Sequence, residues 1–229
     1  MNTVKDEAFD IHSASINDLY HRSPQLAEQG ELVVSNDEMT GVQALERKYP
    51  DKPTLPGKPR LVEHEYIRHG TLSFIVTFNV SLGGVILATS GPTRTEEDYL
   101  THIQQLVADN PQIKRWHIVA DNLNTHRSAS LVRFVAAESD LNIDLGEKGN
   151  SGILHSLKTR SAFLSDPAHR IVFYYTPKHA SWLNQIEIWF SILVRKLLKK
   201  GNFISVEDLH RKVFHFIEYY NRSMAKPFK

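Results

Sequence analysis

The sequence has no cysteine, which excludes a disulfide framework and any thiolate zinc site and fits an intracellular chain. No secretory signal is expected either, since the opening MNTVKDEAFD is polar. Long apolar runs are missing. The longest, Phe74–Leu87, is broken by Asn79, Ser81 and Gly83-Gly84, so no transmembrane span is expected. The twelve histidines form no HExxH pair, and no GxSxG elbow occurs. The glycines of GEKGNSG (Gly146–Gly152) lack the Gly-Lys-Ser/Thr that a Walker loop requires. Zincin, serine-hydrolase and P-loop chemistry therefore have no sequence support.

What is present is an ordinary globular composition: 229 residues, 41% hydrophobic and 23% charged. The overall charge of +1 hides an asymmetry, with residues 1–157 carrying a net −7 and residues 158–229 a net +8. The C-terminal third is thus suited to face a polyanion.

Along the chain, residues 1–30 read as a polar lead-in, with a helix over Ser15–Gln29 interrupted at Pro24. Glu31–Asp37 is a short β-branched run ending at the acidic pair Asp37-Glu38. Residues 50–59, with four prolines, form a loop. Val62–Ile67, Thr71–Val80 and Val85–Thr89 read as a three-strand meander, with turns at Arg68-His69-Gly70 and Gly83-Gly84. The capping boxes Thr95–Asp98 and Ser205–Asp208 open two helices. Arg115–Ala120, RWHIVA, is a buried strand ending at Asp121-Asn122, and Leu131–Ala137 is an amphipathic helix. Residues 140–170 carry little pattern. Ile171–Tyr175 is a strand, and Ser181–Lys200 is one helix, apolar nearly all round and therefore buried. The element order predicts an α/β fold with a mixed sheet.

Three carboxylates stand out by position. Asp37 and Asp121 end strands, and Glu187 lies in an apolar helix without a cation three or four residues away. A buried carboxylate needs a partner, which is either an Arg or Lys of another element or a metal ion shared with other acids. Two strand ends and one helix can meet in one cleft. Three oxygen donors suit Mg2+ or Mn2+, and two such ions suit phosphodiester chemistry.

SNDEMTGVQALERKYP around Asp37, VADNLNTH around Asp121 and TPKHASWLNQIEIWFS around Glu187 resemble the three catalytic motifs of DDE transposases, in particular bacterial insertion-sequence enzymes related to mariner elements. The resemblance extends to EYIRHGTLSF and YYNRSMAKPFK. It implies an RNase H-like fold, a mixed five-stranded sheet flanked by helices, over residues 31–229, with residues 140–170 as an insertion. It implies that Asp37, Asp121 and Glu187 are the catalytic metal ligands for two Mg2+ or Mn2+ ions, with Asn122 and His126 beside them. It also implies cleavage and strand transfer at the ends of a mobile element, in the bacterial cytoplasm at the nucleoid. The partners would be double-stranded DNA, as element ends and target, and a second copy or a full-length transposase. Lys178, Arg195, Lys196, Lys199 and Lys200 would neutralise phosphates. Such enzymes carry a helix-turn-helix region before the first Asp, and 36 residues are too few for it, so base reading is expected from elsewhere. The alternatives are a stand-alone RNase H-fold nuclease, with the same metals and another substrate, and an idle remnant that folds without cutting.

Overall fold

The computed structural model describes residues 9–50, 52, 54–59 and 63–228. Its elements are α1 (Phe9–Glu28), β1 (Glu31–Arg47), β2 (Tyr66–Asn79), β3 (Gly84–Gly91), α2 (Glu96–Ala108), β4 (Arg115–Ala120), α3 (Ala129–Glu138), α4 (Leu157–Leu164), β5 (Ile171–Tyr175), α5 (Ile186–Leu193) and α6 (Val206–Ser223). The sheet runs β3-β2-β1-β4-β5, with β1, β2 and β3 antiparallel and β4 and β5 parallel to β1. The sheet is mixed, as the order of elements predicts, and five-stranded, as the resemblance implies.

Alternation along the strands sends side chains to two cores. Leu32 and Val34 of β1, Trp116 and Ile118 of β4 and Phe173 of β5 pack against Tyr99, Ile103 and Leu106 of α2 and Leu131 and Val135 of α3. The opposite face of β2, through Phe74, Val76 and Phe78, packs against Trp189 and Leu193 of α5 and Leu209, Val213 and Tyr220 of α6. On that same side, Ile16 and Leu19 of α1 cover Val33 and Val119. The lead-in is therefore a helix docked on the sheet. It continues through Pro24, which is exposed.

Three expectations change. Arg68-His69-Gly70 is no turn; β2 runs through it, and the pairing with β1 shifts register between Gln43 and Leu45. Gly70 has φ +123° there, and a Cβ would stand 2.9 Å from Val206, so the irregularity and the close approach both call for glycine. The residue that opens the expected strand, Val62, lies outside the described residues. Asp37 does not end its strand but stands inside the 17-residue β1.

The third change concerns Ser181–Lys200, which is not one helix. A single 3-10 turn over Ser181–Leu183 is followed by an extended Asn184 (φ −80°, ψ 104°), then α5, then a π turn over Val194–Leu198. The break occurs because the Asn184 side chain is drawn into the sheet, as described below. Trp182 and Ile188 are consequently exposed, and the segment is not buried all round. The segment 140–170 contains one helix that its sequence does signal: Ser156 and Thr159 form a reciprocal cap at the start of α4. Among the described residues, no helix is long and apolar enough to cross a membrane.

Candidate active site

The parallel pairing of β1 with β4 ends at Ser35 opposite Val119. Asp37 and Asp121 each follow two residues later, so both leave the same face of the sheet side by side. β1 continues past this point because β2 still pairs with it, whereas β4 ends at Ala120. The two carboxylates thus meet where the parallel half of the sheet stops. One oxygen of each and a ring nitrogen of His126 lie within 4.8 Å of one another.

The surroundings fix each group. Asp37, 7% exposed, accepts from the Glu38 N–H at 2.8 Å through Oδ1 and from Asn184 Nδ2 at 3.2 Å through Oδ2. Burial, reinforced by the charge of Asp121, pushes its carboxyl up to about 7. Asp121 uses Oδ1 for the Leu123 N–H at 2.9 Å and for His126 Nδ1 at 2.8 Å. Burial works against its charge, but the His126 hydrogen bond and the nearby cations outweigh that and hold it below the usual carboxylate range. Its Oδ2 has no hydrogen-bond partner among the described residues. His126 is fully buried. Burial alone would discharge it, but Asp121 and Glu38 outweigh burial and push it up to about 10.

Glu187 stands outside this group of three, in the first turn of α5. It has no ion pair among the described residues, so the Arg or Lys partner that its sequence context allowed is absent there. Partial burial and the charge of Asp121 raise its pKa, which places it within electrostatic reach of Asp121. It lines a cleft of about 740 Å3 with Glu38, Thr40, Ser191, Arg195 and Lys199. The lining combines the carboxylate of Glu187 with the cations of Arg195 and Lys199. Of the five basic residues expected to face phosphates, Arg195 and Lys199 line it, while Lys178, Lys196 and Lys200 are exposed elsewhere. Asn122 turns away from the carboxylates, donating from Nδ2 to the Thr176 carbonyl and so tying the end of β4 to the end of β5.

Two residues missed by sequence reasoning shape the site. Glu38 is described below. Asn184, 0% exposed, accepts from Ser35 Oγ and donates to the Asn36 carbonyl at 3.0 Å as well as to Asp37. Ser35 Oγ in turn accepts from the Ile186 N–H at 2.8 Å. Asn184 thereby pins the start of α5, and with it Glu187, to the strand that carries Asp37. Asn184→Ala leaves Ser35 and Asn36 short of partners in a buried site. Urea unfolding in chelator should show a loss of about 2–3 kcal/mol. A loss under about 0.5 kcal/mol would show that the pin is dispensable.

A hard cation fits this donor set. The facing atoms are carboxylate oxygens, Asp121 Oδ2 is open, and the strained ionisation of Asp37 is what a nearby positive charge relieves. His126 is a poor ligand as it stands, because both ring nitrogens already face carboxylates.

The model of a protein family described as DDE superfamily endonuclease matches residues 32–210. No protein with a curated description matches. Among solved structures, the chain is similar to the Mos1 transposase paired-end complex with left transposon end, at TM-score 0.55 and 15% identity, covering 96% of this chain and 59% of that one. It is likewise similar to the Mos1 strand transfer complex, at TM-score 0.54, 16% identity, and 96% and 58% coverage. The chain spans about three-fifths of the length of these structures. At such identities the likeness is one of fold, the RNase H-like mixed sheet flanked by helices.

Proposed function

The chain belongs to the DDE superfamily of endonucleases, and from that premise we propose that it is the catalytic domain of a mariner-related transposase, cutting DNA at the ends of a mobile element and joining the freed 3′-hydroxyl to target DNA. The observation that carries the reading is the juxtaposition of Asp37 and Asp121 at the end of the β1–β4 pairing, beside a cleft lined by Glu187, Arg195 and Lys199. The catalytic unit is residues 31–229, braced by α1.

Asp37, Asp121 and Glu187 would hold two divalent cations, Mg2+ or Mn2+. When bound, the ions supply activation of the attacking hydroxyl and stabilisation of the leaving oxygen. The protein's own part is placement. The β1–β4 register fixes the first two carboxylates, and Asn184 fixes the start of the helix that bears the third. Arg195 and Lys199, four residues apart along the cleft, hold strand phosphates leading away from the scissile one. Double-stranded DNA is then the partner, as element end and as target, and pairing of two ends calls for a second copy of the chain.

The test incubates the chain with duplexes that carry or lack an element end, in Mg2+, Mn2+ or chelator, and follows nicking. Cation-dependent nicking of both duplexes is expected from the chain by itself, with preference for the end once a DNA-reading region is supplied. Absence of any nick with both ions would sink the reading, and nicking that stays indiscriminate with that region supplied would favour the stand-alone nuclease. Arg195→Ala and Lys199→Ala should each weaken binding to both duplexes alike and lower the salt slope by about 1.

A further inference from the structure

Glu38 is a carboxylate that this mechanism leaves without a task. It follows Asp37 in β1, so its side chain leaves the other face of the sheet, where it is 2% exposed. Its Oε1 lies 3.2 Å from His126 Nε2, while its Oε2 is buried with no hydrogen-bond partner. His126 turns its other nitrogen to Asp121 Oδ1 at 2.8 Å. The imidazole itself is held in place. The Tyr99 ring packs with centroids 4.3 Å apart, and the Tyr175 hydroxyl donates to the His126 carbonyl at 2.8 Å. A buried carboxylate with one oxygen unmatched is costly, and such groups are kept where they serve the site.

We propose that Glu38 is a positioning residue: through His126 it holds Asp121 Oδ1 inside the protein and so leaves Oδ2 free for a cation. The proposal rests on the reading of Asp121 as a cation ligand. Metal sites commonly orient a ligand by an outer hydrogen bond, usually a carboxylate acting on a ligating histidine. Here the order is inverted, with a histidine acting on a ligating carboxylate and a second carboxylate acting on the histidine. Among the described residues no hydrogen bond joins Glu38 to Asp121 directly, and the His126 ring is the group in contact with both.

Two measurements test this. The first needs no metal. In chelator, urea unfolding of Glu38→Gln, Asp121→Asn and the double variant should be non-additive, and additivity should return in a His126→Ala background. Glu38→Gln keeps the shape and an acceptor oxygen, so folding is preserved. Additive effects with His126 in place would overturn the link. The second measurement titrates Mg2+ or Mn2+ and follows the melting temperature. Glu38→Ala should weaken cation binding about 10- to 100-fold, and Glu38→Gln should weaken it less. Cation binding by Glu38→Ala equal to the parent's would overturn the positioning role. A parent that shows no cation-induced shift would instead count against the proposed function, and the first measurement would still uphold or overturn the Glu38–His126–Asp121 link.

Discussion

In chelator at pH 8, Asp37→Asn should melt several degrees above the parent protein, and with cation supplied its strand cleavage should fall roughly a thousandfold. The stability gain follows from burial and from Asp121, which push the Asp37 carboxyl from 3.8 up to about 7. Below pH 4 that carboxyl is protonated in the folded and unfolded chain alike. Between pH 4 and pH 7 the unfolded chain has released its proton while the folded protein still holds it. Stability is therefore lost as pH rises through this window, by at most about 4 kcal/mol at 1.36 kcal/mol per pKa unit. Asparagine carries no such charge. It keeps the acceptor for the Glu38 N–H, but its amide would face Asn184 Nδ2, whose Oδ1 is already engaged by Ser35. Losing that 3.2 Å hydrogen bond offsets about 1 kcal/mol and leaves the sign unchanged. Millimolar Mg2+ or Mn2+ should reverse the order, because a cation that binds only the native state stabilises the parent more. Melting curves at pH 5 and pH 8, each with and without cation, decide it. A variant that tracks the parent at both pH values, with no reversal, would mean that Asp37 carries no electrostatic strain.

The parts of this architecture visible in the sequence are those set locally. RWHIVA is buried on both faces and stops where its apolar run stops, so Asp121 could be placed at a strand end from its neighbours alone. The cap at Thr95 is a short-range bond and appears as expected. Asp37 was harder, because the length of β1 is decided by β2. Residues 39–47 include Gly41 and several polar side chains, and they become strand only through pairing with residues 66–74. The start of α5 was misplaced for a related reason. Ser181 has the chemistry of a cap, but Asn184 gains more by bonding to Ser35, Asn36 and Asp37 than by continuing a helix. In the sequence Glu38 is only half of an acidic pair. Its burial depends on Tyr99 of α2 and on the turn that carries His126, and nothing within its own stretch of chain announces either.

His126→Ala should destabilise the metal-free protein by about 3–5 kcal/mol at pH 7, because it strands Glu38 and Asp121 without the cation between them. The pH dependence runs opposite to that of Asp37. Burial disfavours the charged ring, but the two carboxylates outweigh burial and raise His126 from 6.5 to about 10. A raised histidine contributes stability that is complete below pH 6.5 and is lost as pH climbs through 10. The gap between parent and variant should therefore be widest near pH 6.5, narrow as pH rises, and be smallest above pH 10, where the parent's imidazole is also neutral. Cleavage by the variant should fall yet survive, since the ring supplies no oxygen to the cleft and acts only by holding Asp121 Oδ1. Urea unfolding at pH 7 and pH 10.5 reads the first effect, and strand cleavage with saturating cation reads the second. A variant within about 1 kcal/mol of the parent at pH 7 would show that the buried carboxylates find other partners. A variant that binds cation normally but is as inactive as Asp121→Asn would make the imidazole a participant in proton transfer and not a support for its neighbour.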